Sequence, residues 1–196
     1  MRGKDLRARW ASRNYGTWKR HLIPYFADGR DKIYIEIGVF EGRSAMWMMD
    51  NICTSEGSKA YLIDTWQGPS GQRLKEKLMK WGTGEEIESR ARKNMSSYGS
   101  RVEILRGTSE DMLKTETIAE LAGAVDLVYI DGAHDGDLPY KDAVGTWPLL
   151  RSGGVQMWDD CDQEDVAKCV SRFCEEYGLV MDVMWKEGRT CGVKKI

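Results

Sequence analysis

Short apolar runs alternate along the chain with stretches of helical periodicity. The run "KIYIEIGV", Lys32 to Val39, is rich in β-branched residues and ends at a glycine, which reads as a buried strand. The segment "RSAMWMMDNI" after it carries apolar residues at helical spacing. The same strand-then-helix rhythm recurs at "KAYLID" (Lys59 to Asp64) and at "RVEILRG" (Arg101 to Gly107) with "SEDMLKTETIAEL" behind it. It recurs again at "VDLVYID" (Val125 to Asp131) and at "GGVQMWDD" (Gly153 to Asp160) with "DQEDVAKCVSRFCEEYG". The last two runs, "LVMDVMWK" and "TCGVKKI", read as a closing antiparallel pair. Seven strands in this order predict an α/β fold: a doubly wound, mostly parallel sheet with helices on both faces and an antiparallel edge hairpin. Met46, Trp47, Met48 and Met49 sit at helical spacing and are expected to pack on that sheet.

At 196 residues the chain suits one compact domain around a single core. Residues 1–30 read as an N-terminal helical cap and 31–196 as the main domain. Basic residues number 29 against 31 acidic ones, a net charge of -2, so no global field draws the protein to nucleic acid or membrane. The five cysteines, Cys53, Cys161, Cys169, Cys174 and Cys191, show no C-x-x-C pairing. Free thiols in a reducing, cytoplasmic setting are the expectation. No apolar run reaches the roughly 20 residues of a membrane helix. The oligomeric state is not legible; a homo-oligomer is compatible with this composition.

In a doubly wound sheet, ligands bind beyond the carboxyl ends of the strands, so chemistry is to be sought just after each apolar run. The first run leads into Gly38, Val39, Phe40, Glu41 and Gly42, where glycines permit a turn and a close approach to a ligand. This G-x-x-x-G spacing is not the G-x-G-x-x-G that cradles a pyrophosphate, and Glu36 would repel phosphate. A ligand carrying a cation fits better. Asp64 ends the second strand, where a carboxylate either accepts ribose hydroxyls or caps the following turn. Ser109 in "GTSED" reads as a helix cap with ligand contact as an added role.

The fourth and fifth strands end in "IDGAHD", with Asp131, His134 and Asp135, and in "WDDCD", with Asp159 and Asp160. Adjacent parallel strands would bring these carboxylates together with no lysine beside them, an arrangement that calls for protons or a hard cation such as Mg²⁺. His134, three residues past Asp131, can reach the same pocket as a proton acceptor. His21 lacks such company and reads as structural. Trp158 either walls the pocket or belongs to the sheet core.

The ordered series "EIGVFEGRSA", "LIDTW", "VEILRGTSEDML", "DLVYIDGAH" and "WPLLRSGGVQMWDD" resembles the Rossmann-like class I S-adenosylmethionine-dependent methyltransferases. Within that class it is similar to the metal-dependent O-methyltransferases of the catechol and macrolide-sugar kind. The resemblance implies that Glu36, Gly38 and Gly42 line the methionine and sulfonium part of the cofactor, with Ser44 near its carboxylate. It implies Asp64 at the ribose, Thr65 and Trp66 beside the adenine, and Ser109 with Glu110 at its far edge. By the same resemblance Asp131, Asp159 and Asp160 hold the ion and Asp131 adjoins the cofactor. His134, in the D-G-A-H motif, is then the general base acting on a small-molecule hydroxyl of a sugar, catechol or polyol. A metal-free enzyme of the same fold, with His134 acting alone, uses the same residues.

Two stretches lie outside these motifs. The segment "TWQGPSGQRLKEKLMKWGTGEE", Thr65 to Glu86, reads as a loop or lid around a short helix; it offers three lysines and an arginine where a further metal ligand could have stood. The opening "MRGKDLRARWASRNYGTWKR" has seven basic residues against one Asp, interleaved with Trp10, Tyr15 and Trp18. It reads as an amphipathic helix with its aromatics turned inward over the cleft. The competing reading is a phosphate-and-stacking surface for an RNA-directed methyltransferase or a nucleic-acid-binding module. A catalytically idle cofactor-binding scaffold is the third reading.

Overall fold

A computed structural model describes residues 6–8, 10–68 and 80–196 of the chain. The short helix expected inside the Thr65 to Glu86 stretch falls on residues 69–79 and lies outside them. Seven strands form one sheet: β1 (Ile33–Ile37), β2 (Lys59–Asp64), β3 (Val102–Arg106), β4 (Val125–Ile130), β5 (Leu150–Trp158), β6 (Met181–Glu187) and β7 (Thr190–Lys195). Their order is β3-β2-β1-β4-β5-β7-β6. The first five are parallel, and β7 runs antiparallel to both β5 and β6. The doubly wound sheet with an antiparallel edge hairpin is therefore as expected, each predicted strand falling within a few residues of its run.

The helices are α1 (Tyr15–Tyr25), α2 (Arg43–Asn51), α3 (Gly84–Met95), α4 (Ser109–Met112), α5 (Glu116–Ala119), α6 (Leu138–Thr146) and α7 (Glu164–Tyr177). The single helix expected over "SEDMLKTETIAEL" is two short ones. Thr115 takes extended backbone and restarts the chain as a new cap, its hydroxyl donating to the Met112 carbonyl at 2.7 Å. Helix α3 went unpredicted, although its start is written in the chain as T-x-x-E. The Glu86 amide donates to Thr83 Oγ1 at 3.3 Å and the Thr83 amide to Glu86 Oε2 at 2.7 Å, a reciprocal cap. Helix α6 also went unread; a proline in its first turn marks its beginning.

Strand alternation sends side chains to two cores. Tyr34, Leu127 and Tyr129 face a layer with Trp18 and Leu22 of α1 and Ala45, Met46, Trp47, Met48 and Met49 of α2. Ile35, Ile37, Val128 and Ile130 face the other, with Ala143, Val170 and Phe173. Trp158 belongs to this second core, 1% exposed and 5.6 Å from the Phe173 ring. The α2 methionines and tryptophan thus pack as expected. The Trp18 ring meets Tyr129 edge-on at 5.3 Å and Trp47 at 5.2 Å, and Tyr15 stacks on Trp47 at 5.7 Å. Trp18 is thus buried in this core, and Tyr15, half-buried, has one face on Trp47. All five cysteines are free thiols. Among the described residues no helix is long and apolar enough to cross a membrane.

Because Trp18 joins α1 to both the sheet and α2, Trp18→Ala is expected to destabilise the protein by about 3–5 kcal/mol. A urea-unfolding midpoint indistinguishable from that of the parent chain would show that α1 is not part of this core.

Candidate functional site

Parallel register places four strand ends in one row. Ile37 stands opposite Ile63 on β2 and Ile130 on β4, and Ile130 stands opposite Trp158 on β5. The ladders run one residue further: Gly38 N–H donates to Ile63 O at 2.9 Å, Asp131 N–H to Ile37 O at 2.8 Å and Asp159 N–H to Ile130 O at 3.0 Å. Gly38, Asp64, Asp131 and Asp159 therefore share the carboxyl edge of the sheet.

The turn after β1 is held by Asp64. Its Oδ2 accepts the amides of Val39 at 2.8 Å and Phe40 at 2.9 Å, and its Oδ1 accepts the Trp66 amide at 2.7 Å. Three of about four lone-pair sites on the carboxylate are thus taken. The capping role foreseen for Asp64 is present, and one acceptor site is left over. Gly38 has φ 90°, and a Cβ there would lie 2.0 Å from the Asp131 carbonyl oxygen, so only glycine lets the β1 and β4 ends approach. Gly42, at φ 77°, caps α2. Trp66 is buried, its indole donating to the Phe40 carbonyl at 3.0 Å, and Thr65 Oγ1 accepts the Gln67 amide at 3.2 Å.

Glu36 lies beneath this turn, fully buried. It accepts hydrogen bonds from Ser44 Oγ and, at 2.5 Å, from Tyr34 OH. Loss of hydration pushes its carboxyl up to about 8, even though these two donors oppose the shift.

Sequence reasoning passed over Glu41. It is 1% exposed and accepts the backbone amides of Arg7 at 2.8 Å and Ala8 at 3.0 Å and the Arg90 Nε at 2.9 Å. Arg43 Nε completes the clamp by donating to Ala8 O at 2.6 Å. Thirty-odd residues separate Glu41 from these N-terminal partners, so no local motif announces the clamp. Asn14 then joins the same N-terminal segment to β5, donating to Asp159 Oδ2 at 3.0 Å.

The acidic pair after β5 splits. Asp159 is directed into the protein, Oδ2 also taking the Tyr129 hydroxyl at 2.8 Å and Oδ1 the Asp160 amide at 2.8 Å. Asp160 adopts φ 53°, and its carboxylate joins Asp131 and His134; ligand atoms of these three all lie within 4.8 Å of one another. Asp159 does not belong to that group. His134 Nδ1 is 3.2 Å from Asp160 Oδ2 and 3.3 Å from Gln163 Nε2. Its Nε2 is 3.8 Å from Asp131 Oδ1 and has no hydrogen-bond partner. Burial raises the Asp131 carboxyl to about 7, with the Asp159 charge adding in the same direction. A basic partner reaches the cluster from elsewhere in the chain: Arg189, from the turn between β6 and β7, pairs with Asp160.

The remaining sequence-picked residues lie at the edges. Thr108, not Ser109, caps α4, accepting the Asp111 amide at 3.1 Å; the extended residue precedes the first helical one, and that is Thr108. Ser109 Oγ instead donates to the buried Asp142. Glu110 is exposed and pairs with Lys114 at 3.2 Å. His21 stacks on Trp185 at 5.0 Å and contacts Glu187 at 3.2 Å, the structural place expected of it.

A family model described as a methyltransferase domain matches residues 35–161, the span from β1 through the acidic row. A comparison with curated proteins returns no match. Among solved structures the chain is similar to the O-methyltransferase NovP, at 16% identity over 93% of this chain and 78% of that one, with TM-score 0.65. It is similar to a calicheamicin methyltransferase at 16% identity, covering 95% and 80%, with TM-score 0.65. It also matches the MycE methyltransferase of the mycinamycin biosynthetic pathway, solved with Mg and SAH, at 14% identity, covering 94% and 53%, with TM-score 0.57. At these identities the likeness is one of fold.

Glu36 makes the stability of the ligand-free protein depend on pH. Its carboxyl is raised from 4.5 to about 8 on folding, so across that window the folded state keeps a proton that the unfolded state releases. Stability is therefore fully present below about 4.5 and falls as pH rises toward 8, by up to about 1.4 kcal/mol per pH unit for one proton. Asp131, raised to about 7, and Asp142, raised to about 6 by burial, act in the same sense. Glu36→Gln mimics the protonated form, and urea titrations at pH 6 and 8.5 should show a shallower decline than in the parent. An equal decline in the two proteins would mean that Glu36 is ionised when buried.

Proposed function

The chain belongs to the methyltransferase domain family and is an S-adenosylmethionine-dependent methyltransferase, and from that premise we propose that it methylates a hydroxyl of a small molecule, with His134 as general base. The observation that carries this reading is the His134 environment. In this reading the Asp160 carboxylate, 3.2 Å from Nδ1, holds the proton on that nitrogen and leaves the lone pair on Nε2, the atom without a hydrogen-bond partner. An oriented imidazole with one free lone pair at a strand end is suited to removing a hydroxyl proton.

S-adenosylmethionine supplies a methyl group on a sulfonium, so the enzyme must mainly align the donor with a nucleophilic oxygen. Glu36, a buried acid under the turn of residues 38–42 that holds a proton in the ligand-free protein, would release it in favour of the cationic methionine end of the donor, with Ser44 at the start of α2 beside it. Glycines at 38 and 42 open the backbone where the donor must pass closely. The acceptor site left on Asp64 serves one ribose hydroxyl, while its other three keep the turn in shape. Thr65 and Trp66 follow on the adenine side, with Ser109 and Glu110 bounding it. In this reading Asp131 stands between the donor and the acceptor site.

Asp131 and Asp160 form the oxygen donors of a hard-cation site, and that donor chemistry fits Mg²⁺. Such an ion lowers the pKa of a bound hydroxyl. Asp159, tied to Tyr129 and Asn14, supports the pair from behind instead of joining it. MycE, solved with Mg and SAH, is a fold relative in which a metal accompanies the cofactor product. One observation favours a metal-free variant of the same chemistry: the Arg189 guanidinium already compensates Asp160. The sugar, catechol and polyol classes of acceptor all suit a His base, and a soluble cytoplasmic enzyme suits the free thiols.

Calorimetry with S-adenosylhomocysteine and a panel of hydroxyl acceptors assayed by its release test the assignment. His134→Ala should hold S-adenosylhomocysteine affinity within about twofold and lower kcat by roughly 10²–10⁴-fold. Asp64→Ala should abolish cofactor binding, since it removes both the turn's acceptor and the ribose partner. Full turnover by His134→Ala would refute the base assignment; absence of any affinity for the cofactor product would refute the whole reading.

A further inference from the structure

The turn between β6 and β7 brings a cation to the acidic edge from far along the chain. Strand β7 runs antiparallel to β5 with Cys191 opposite Trp158, so residue 189 emerges beside the carboxyl end of β5. Backbone holds it there: the Cys161 amide donates to the Arg189 carbonyl at 2.8 Å, a bond independent of the side chain at 189. From that anchor Arg189 Nη2 pairs with Asp160 Oδ1, and Arg189 Nε lies 3.3 Å from Asp162 Oδ1. The two carboxylates differ in solvation. Asp160 is 12% exposed in its side chain and faces His134, whereas Asp162 is 53% exposed and stands outside the cluster.

A divalent ion held by Asp131 and Asp160 and a guanidinium on Asp160 would claim the same carboxylate at a separation of a few ångströms. Like charges that close in a poorly solvated edge repel strongly. Arg189 also has a second seat already in contact. Resting on the reading that Asp131 and Asp160 hold a divalent ion, we infer that Arg189 is an internal competitor for Asp160, neutralising it when no ion is bound and withdrawing toward Asp162 when one binds. The device keeps a partly buried carboxylate paired in both conditions. It makes metal affinity a property of the hairpin as well as of the ligands.

The test is a calorimetric titration of Mn²⁺ into the full chain with S-adenosylhomocysteine present, cross-checked by water-proton relaxation of bound Mn²⁺. Arg189→Gln should bind Mn²⁺ roughly tenfold more tightly or better, on the scale of one relieved like-charge contact. Arg189→Lys keeps the charge without the fork and should stay nearer the parent. Asp162→Asn removes the second seat and should weaken Mn²⁺ binding. A residue that only pins the hairpin would lower the melting temperature in Arg189→Gln without tightening the metal. Affinity in Arg189→Gln equal to or below that of the parent overturns the inference, and should that variant not fold, unchanged affinity in Asp162→Asn does so. If parent and variants all bind S-adenosylhomocysteine but none binds Mn²⁺, the metal reading fails and this inference with it.

Discussion

The shared register of β2, β1, β4 and β5 is the constraint on which the site depends. Parallel pairing with Ile37, Ile63, Ile130 and Trp158 in one line means that the next residue of each strand reaches the same edge. Slipping one strand by a single residue would send its terminal carboxylate to the opposite face. The close approach of Gly38 to the Asp131 carbonyl then locks the central pair, because no side chain fits between them. A row of strand tips thereby lies along one edge without any one residue being dedicated to building it.

Five carboxylates at one edge would repel one another if left alike, and the structure gives each a different partner. Asp64 is covered by backbone amides, Glu36 by two hydroxyls, Asp159 by a tyrosine and an asparagine, and Asp160 by an arginine and a histidine. Asp131 meets His134 at 3.8 Å, and burial raises its proton affinity. Glu36 on β1 and Asp131 at the end of β4 are thus two acids whose proton affinity burial raises, and they stand on neighbouring strands.

The sheet was legible because its signals are local: β-branched runs, strand ends at glycine or aspartate, and the D-G-A-H sequence each occupy fewer than ten residues. The candidate base and two of the proposed metal ligands were legible for the same reason, since Asp131 and His134 lie three apart and β4 and β5 are neighbours. Partners recruited across the chain were not. Arg189 reaches Asp160 over 29 positions and Ala8 reaches Glu41 over 33, and neither carries a pattern that a window can detect. The divergence of Asp159 from Asp160 was hidden for a different reason. Adjacent residues in extended backbone point to opposite sides, and the left-handed turn at Asp160 decides which one faces the cluster.

Those long-range partners share a direction. Residues 7 and 8 hang on Glu41 in the turn after β1, and Asn14 hangs on Asp159 at the end of β5. The N-terminal segment therefore spans the carboxyl edge from the first strand to the fifth, with α1 anchored beyond it by Trp18. Both anchors are carboxylates already fixed by other bonds: Glu41 by Arg90, which also reaches the Trp81 carbonyl, and Asp159 by Tyr129. Three separate parts of the chain are thus tied together at this rim. These bonds matter energetically because removing a partner from either carboxylate would leave a buried acid short of a hydrogen bond.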